Sequence, residues 1–178
     1  MPLLVQDGDW WRGVTAAFEH VGVLHLALNM LALLVFGSEM ERGLGRWRYL
    51  GVYVVSILGG ALGIQLFSDP ETPVAGASTA IFGLMGAMAV LLLAGRQRVR
   101  DAVNLVVINV LISFLIPHVS WVGHLGGLAA GALVTGILVL TRRAPRVQAA
   151  AIVGLGIVLI ALTLVVPTVA APTLPSLF

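Results

Sequence analysis

Three polar residues in apolar stretches of the sequence carry side chains suited to acyl transfer. Ser78 has a hydroxyl that could act as a nucleophile, and His124 has an imidazole that could accept its proton as a general base. Asn29 has an amide that could donate to a developing oxyanion. Taken alone, Ser78 is most often a small residue for close packing, and Asn29 a hydrogen-bonding residue between helices. The catalytic interpretation therefore depends on the fold bringing the three together.

His25 adds a second side chain that could donate to an oxyanion. It lies four residues before Asn29, so both side chains project from one helix face. Polar groups inside a membrane span are costly and usually face a cavity or a partner helix, although His25 could also be an interfacial residue. The candidate oxyanion site consists of the His25 ring N–H, the Asn29 amide and the backbone N–H of Ser78.

A carboxylate that could orient His124 is missing from the apolar stretches. No aspartate or glutamate follows Asp101, and only Asp69 or Glu71, in a connection, could approach from the surface. We therefore expect a Ser–His dyad. Such a dyad supplies the nucleophile, the base and the proton transfer by itself, so no cofactor and no metal are implied.

Composition indicates a membrane protein. Hydrophobic residues make up 59% of the 178 residues and charged residues only 10%, against roughly 25% in soluble domains. So few charges could not cover the surface of a soluble fold. The absence of cysteine excludes disulfides and thiolate metal sites. Nucleic-acid binding is not expected, because the formal net charge is only +2 and the basic residues are scattered.

Six apolar stretches approach the roughly 20 residues that a helix needs to cross a bilayer. They cover residues 21–38, 49–67, 74–95, 102–116, 121–140 and 147–166, the fourth being the shortest. We expect an all-α, polytopic membrane helical bundle of about six transmembrane helices. Residues 1–19 are predicted to form an extracytoplasmic loop, residues 20–143 a catalytic membrane core, and residues 144–178 an additional C-terminal transmembrane helix and tail.

The distribution of arginine predicts the orientation, because positive charge is retained on the cytoplasmic side. All arginines except Arg12 follow the first, third and fifth apolar stretches, whereas the opposite connections are acidic or uncharged. Both termini are therefore expected outside the cytoplasm. At about 1.5 Å per residue, the four candidate site residues lie roughly 5–13 Å below the outer surface. This shared depth on three different helices favours a single site.

Small residues indicate how the two catalytic stretches could approach each other. Stripes of glycine and alanine allow neighbouring helix backbones to come close. One stripe consists of Gly123, Gly127 and Gly131, and the other of Gly76, Ala80, Gly83 and Ala87. Contact between these stripes would bring Ser78 within hydrogen-bond reach of His124.

At these positions the sequence resembles the rhomboid family of intramembrane serine proteases. The resemblance extends from Trp11 to about Gly131. It rests on Trp11-Arg12, His20, His25-x-x-x-Asn29, Glu41-Arg42-x-x-Gly45, Gly76-x-Ser78 and His124-x-x-Gly127-x-x-x-Gly131. The order, the spacing and the predicted membrane side of these motifs all agree with that family.

The resemblance implies Ser78 as the nucleophile and His124 as the general base. It also implies an oxyanion site formed by the Ser78 N–H, Asn29 and His25. Phe82 matches the aromatic position that packs beside the catalytic histidine. The supporting residues Trp11 and Arg12 would belong to a loop that dips into the outer leaflet, which agrees with an interfacial tryptophan anchor.

The implied activity is cleavage of transmembrane protein substrates, near their outer ends, within the lipid bilayer. We expect an integral protein of a bacterial cell membrane, with an active site that opens to the extracytoplasmic side. Two departures from the family pattern stand out. The usual helix before the Trp-Arg loop is expected to be missing, because only ten residues precede Trp11, and Thr79 stands where the family often has glycine.

Three alternatives remain. A non-catalytic rhomboid-like protein would bind transmembrane clients without cutting them. A metal or haem protein would use His20, His25, His118 and His124, although the sequence has no His-Glu-x-x-His motif. A transporter or channel would need polar residues in the inner halves of the spans, whereas those present are concentrated in the outer halves.

Overall fold

The computed structural model of the protein describes residues 11–68, 76–95, 99–115 and 120–166. Every regular element in these ranges is helical. The predicted surface residues Asp69, Glu71 and His118 lie outside them. A short helix α1 (Arg12–Thr15) with a 3-10 turn (Ala16–Phe18) precedes six longer helices. These are α2 (Val23–Leu44), α3 (Arg46–Phe67), α4 (Ser78–Ala94), α5 (Val99–Leu115), α6 (Trp121–Leu140) and α7 (Pro145–Val165).

The predicted all-α membrane bundle is confirmed, since α2 to α7 correspond in order to the six apolar stretches. Four described helices, α2, α3, α6 and α7, are long and apolar enough to cross a membrane. Helix α4 is apolar but has 17 residues, as has α5. The number of spans and the division of the chain at residues 19 and 143 stay predictions.

Helix α2 is longer than its predicted stretch, which ended at residue 38. It passes through a π-helical turn at Leu33–Gly37 and continues to Leu44. The added part carries charged side chains, and Arg42 Nη1 forms an exposed ion pair with Glu39 Oε1 at 2.7 Å. Hydropathy therefore detected only the apolar part of this helix. The helix ends at Gly45, whose φ of 79° lies in the left-handed region that glycine readily adopts.

Helices α3, α4 and α6 form the centre of the bundle, and the most extensive contact is between α4 and α6. Their facing side chains are small or medium-sized, so the backbones approach closely. Val52, Val55, Leu84 and Val134 are almost completely buried in the main cluster. This packed centre fixes the start of α4, where Ser78 lies, relative to the start of α6, where His124 lies.

Helix α7 is joined to the bundle by two buried glutamines. Near one end, Gln148 Nε2 donates to the Leu138 carbonyl of α6, while Gln148 Oε1 accepts from Arg48 Nε of α3, each at 2.8 Å. Near the other end, Gln65 Nε2 of α3 donates to the carbonyls of Thr163 and Val166 at 2.8 Å. The additional C-terminal helix is thus attached by polar contacts as well as apolar packing.

Candidate active site

Ser78 is the first residue of α4. The turn before it contains Gly76, which has a φ of 123°, a value that side-chain-bearing residues rarely adopt. The first N–H groups of a helix have no acceptor within that helix, so the Ser78 N–H can donate to a bound group. The positive end of the helix dipole lies at the same point and favours a negative charge there.

The Ser78 hydroxyl and the His124 imidazole are in hydrogen-bond contact. Ser78 Oγ lies 2.8 Å from His124 Nε2, although 46 residues separate them along the chain. His124 is in the first turn of α6 and is only 6% exposed, while Ser78 is half-buried. Ser120 caps the start of α6, since its hydroxyl accepts from the Gly123 N–H at 3.2 Å. The candidate nucleophile and the candidate base are thus in contact, with His124 almost fully buried.

Glycines on α6 make this contact possible. A β-carbon at Gly127 would overlap the Thr79 backbone carbonyl, and one at Gly131 would overlap the Gly83 carbonyl. These two glycines face α4, as the predicted stripe requires. Gly123 does not, because a β-carbon there would instead meet the Ile64 side chain of α3 at 2.8 Å.

Thr79, which stands where the family often has glycine, is accommodated by a glycine on another helix. A β-carbon at Gly60 of α3 would lie 2.6 Å from Thr79 Cβ and 2.9 Å from Thr79 Cγ2. The threonine side chain on α4 thus fits because α3 has a glycine opposite it. The bulkier residue at position 79 is accommodated without separating the two helices.

Phe82 stacks on the His124 imidazole. The ring centroids are 4.0 Å apart and the planes differ by 11°. Phe82 lies one helical turn after Ser78 and is buried, so its ring shields one imidazole face and restricts its rotation. The aromatic residue named from the family pattern is therefore in direct contact with the candidate base.

Ser113 of α5 contacts the other imidazole nitrogen, and the sequence interpretation missed it. Ser113 Oγ lies 2.7 Å from His124 Nδ1 and donates to the Asn109 carbonyl at 3.0 Å. The orienting groups predicted for His124 were carboxylates, and a serine hydroxyl was not among them. The available signal was the single hydroxyl in the apolar stretch 102–116.

His25 lies beside the turn that precedes Ser78. A β-carbon at Gly76 would be 3.0 Å from His25 Nε2 and 3.8 Å from Ser78 Oγ, so both groups border the same point. His25 Nδ1 accepts a long hydrogen bond from the Val21 N–H at 3.4 Å. That bond leaves the ring proton on Nε2, the nitrogen directed towards Gly76.

Asn29 is buried one turn further along α2. Its Nδ2 donates to the His25 carbonyl at 2.9 Å, and its Oδ1 has no hydrogen-bond partner among the described residues. One amide hydrogen is therefore used within the helix, and the second would have to serve an oxyanion. The structure thus places His25 next to the turn before Ser78 and bonds Asn29 to the His25 backbone.

The segment that begins at Trp11 and Arg12 is attached to the turn before Ser78. The Gly76 N–H donates to the Ala16 carbonyl at 2.8 Å. Ala17 is buried against Ile57 of α3 and Ala80 of α4. Trp11 is 46% exposed, which suits contact with lipid headgroups. The membrane role of Trp11 and Arg12 stays a prediction.

The three described histidines, His20, His25 and His124, do not form a cluster suited to a metal ion. Among the described residues, no three or more His, Cys, Asp or Glu side chains are arranged to hold one. The rings of His20 and His25 are 5.4 Å apart between centroids and tilted by 59°, whereas His124 is engaged by two serines.

The sequence is similar to known rhomboid proteins over most of its length. Residues 7–141 match the family model described as the Rhomboid domain. The chain is 35% identical over 133 residues to the rhomboid protease GluP of Bacillus subtilis, covering 72% of this chain and 26% of that protein. It is 35% identical over 146 residues to RHOMBOID-like protein 5 of Arabidopsis thaliana, covering 77% and 47% respectively.

A third relative is the Rhomboid-type serine protease 2 of Emericella nidulans, 34% identical over 139 residues, with 74% of this chain and 27% of that protein covered. The chain thus spans between about a quarter and a half of the length of these relatives. No solved structure gives a significant match.

Proposed function

The chain belongs to the rhomboid family, and from this premise we propose that it is an intramembrane serine endopeptidase. Its substrates would be transmembrane segments of other membrane proteins, cleaved near their outer ends. Relatives named as proteases support an intramembrane protease function. The 2.8 Å contact between Ser78 Oγ and His124 Nε2 is the observation that carries the assignment of the residues.

In the acylation step, Ser78 Oγ attacks the carbonyl carbon of the scissile peptide bond. His124 Nε2 accepts the hydroxyl proton as the bond forms, and the imidazolium then gives that proton to the leaving amine as the C–N bond breaks. Phe82 keeps the ring in the plane from which it can serve both partners. No group beyond the two side chains is needed for this proton transfer.

The tetrahedral intermediate carries a negative charge on the former carbonyl oxygen. Two donors lie close to Ser78 Oγ. One is the Ser78 N–H at the start of α4, and the other is the His25 Nε2–H beside Gly76. Together with an Asn29 amide hydrogen they would donate to this oxygen, and the helix dipole adds to the stabilisation. These are backbone and neutral side-chain donors, which suits a site with little water.

In the deacylation step, a water molecule attacks the ester carbonyl. His124 takes one proton from the water and returns it to Ser78 Oγ, so that the carboxylic acid product leaves and the enzyme is regenerated. The protein is an integral membrane protein. The arginine distribution supports an active site near the extracytoplasmic face, where water and a polar product can exchange with the solvent.

The test compares the parent protein with Ser78→Ala and His124→Ala in liposomes that contain a single-span transmembrane substrate. We expect each variant to lower cleavage by about 10³-fold or more, because the dyad acts as a unit. Covalent labelling by a fluorophosphonate probe should be lost in Ser78→Ala. Ser38→Ala serves as a matched control, since that hydroxyl only bonds the Val35 carbonyl near the opposite end of α2.

Two results would contradict the proposal. Cleavage at equal rates by the parent and by Ser78→Ala would exclude Ser78 as the nucleophile. Folded parent protein that binds a transmembrane segment, but neither cleaves it nor reacts with the probe, would support the client-binding alternative.

A further inference from the structure

A general base at His124 requires one particular tautomer. Nε2 must carry a lone pair to accept the Ser78 proton, so the neutral ring must hold its hydrogen on Nδ1. An isolated imidazole populates both tautomers, and the hydrogen bond made by the second nitrogen decides between them. In many hydrolases a carboxylate makes that bond. Here the group within reach of Nδ1 is the hydroxyl of Ser113.

The hydrogen bonds of Ser113 determine the direction of this contact. A serine hydroxyl has one proton to donate and lone pairs to accept. A carbonyl can only accept, so the Ser113 proton is directed to the Asn109 carbonyl, 3.0 Å away. Ser113 Oγ must then accept from His124 Nδ1 across 2.7 Å. This places the ring hydrogen on Nδ1 and leaves Nε2 free for Ser78.

Burial and stacking hold this contact in place. Ser113 is 4% exposed and His124 6% exposed, so water has little access to the hydrogen bond between them. The next residue, Phe114, stacks on Trp121 at the start of α6, with centroids 5.0 Å apart and planes 30° apart. The end of α5 is therefore attached to the helix that carries the base by a hydrogen bond and a ring contact.

Part of the surface of α5 does not face the other described helices. Apolar residues along it, including Val107, Leu111 and Ile112, are 44–55% exposed. The position of Ser113 therefore depends on the docking of the outer end of α5. Displacement of that end would remove the acceptor from Nδ1 while leaving Ser78 and His124 in place.

We propose that Ser113 is the positioning residue of the candidate base, holding His124 in the tautomer and ring rotation that proton transfer requires. The proposal rests on the proposed protease function. The working unit is then a chain of hydrogen bonds from the Asn109 carbonyl through Ser113 and His124 to Ser78. The polarised hydroxyl also stabilises the imidazolium that forms during attack, without placing a charge in the membrane. Packing of α5 against α6 thereby favours the His124 tautomer that an efficient base needs.

The kinetic test compares the parent with Ser113→Ala and Ser113→Thr in liposomes with the same transmembrane substrate. We expect Ser113→Ala to lower kcat by about 10- to 100-fold with little change in KM, because the base is misoriented but substrate contacts remain. Ser113→Thr should restore most of the rate, since a threonine hydroxyl can also donate to the carbonyl four residues earlier. Thr135→Val is the control, because it removes a buried hydroxyl of α6 that has no partner among the described residues.

The structural test is nitrogen NMR of protein labelled with ¹⁵N-histidine, with the His124 signals identified by their loss in His124→Ala. The parent should show a neutral His124 ring protonated on Nδ1, and Ser113→Ala should show a shift towards the other tautomer. If the neutral His124 ring of the parent protein were protonated on Nε2, that spectrum alone would overturn the proposal. Parent-like kcat together with a parent-like spectrum in Ser113→Ala would overturn it as well.

The two tests separate this proposal from the protease assignment. If the parent neither cleaves the substrate nor reacts with a fluorophosphonate probe, the protease function fails. The spectra then still decide whether Ser113 sets the His124 tautomer, since they require no turnover.

Discussion

The His25 imidazole lies against the α-carbon of Gly76, so closely that a β-carbon at residue 76 would be 2.7 Å from His25 Cε1. Gly76 also has a φ of 123°, and its N–H is bonded to the Ala16 carbonyl. One glycine therefore lets His25 approach the turn before Ser78 and joins that turn to the segment that contains Ala16.

Gly76→Ala is expected to abolish most proteolysis and to lower the free energy of unfolding by about 1–3 kcal/mol, because alanine is strained at this φ. The new methyl would also push His25 away from Ser78. The measurement is substrate cleavage in liposomes, with thermal unfolding in detergent. Gly154→Ala is the control, since a β-carbon there meets no atom within 4 Å. Equal activity of the two variants would show that the close approach of His25 is dispensable.

Gly127→Ala tests the approach of α4 and α6. Its β-carbon would overlap the Thr79 carbonyl, and neither backbone can move without separating the helices. We expect Ser78 and His124 to move apart, cleavage to fall by at least about tenfold, and stability to drop by about 1–3 kcal/mol. Gly136→Ala on the same helix meets no atom within 4 Å and should behave like the parent. If Gly127→Ala matches Gly136→Ala in both assays, the packing argument is wrong.

Asn29→Ala tests the oxyanion assignment. Loss of one oxyanion donor lowers kcat by about 10²- to 10³-fold in hydrolases, and KM should change little because the donor acts mainly on the transition state. The neighbouring Met30→Ala is the control, because Met30 is exposed on α2. A rise in KM at unchanged kcat would instead assign Asn29 to substrate binding. Michaelis–Menten analysis in liposomes distinguishes these outcomes.

Gln148→Leu tests the attachment of α7. The substitution removes the acceptor of Arg48 Nε, in a partly buried contact, and the donor to the buried Leu138 carbonyl. We expect the free energy of unfolding to fall by about 1–3 kcal/mol, since buried polar groups lose their partners. Val147→Ala provides the comparison, because Val147 is the neighbouring residue and its side chain is exposed. Thermal unfolding in detergent measures the difference, and equal midpoints would refute the role given to Gln148.

The candidate site residues could be proposed from sequence because polar side chains are rare in membrane spans. Ser78, His124, His25 and Asn29 stand out against apolar neighbours, and the arginine distribution predicts the same membrane side for all four. Glycine stripes further indicated that α4 and α6 touch. The structure agrees for Gly127 and differs for Gly123.

The tertiary structure alone decided which neighbours these residues have. Ser113 joins His124 from another helix, and Gly60 makes room for Thr79 from a third. In a bilayer, apolar side chains cover both the lipid-facing and the protein-facing sides of a helix, so hydropathy does not distinguish the two. Helix rotation and crossing are instead set by how closely facing backbones can pack. Sequence by itself therefore determined that the chain is a helical membrane protein and which polar groups are candidates for the site, whereas the packing of α3 to α6 decided how those groups are oriented.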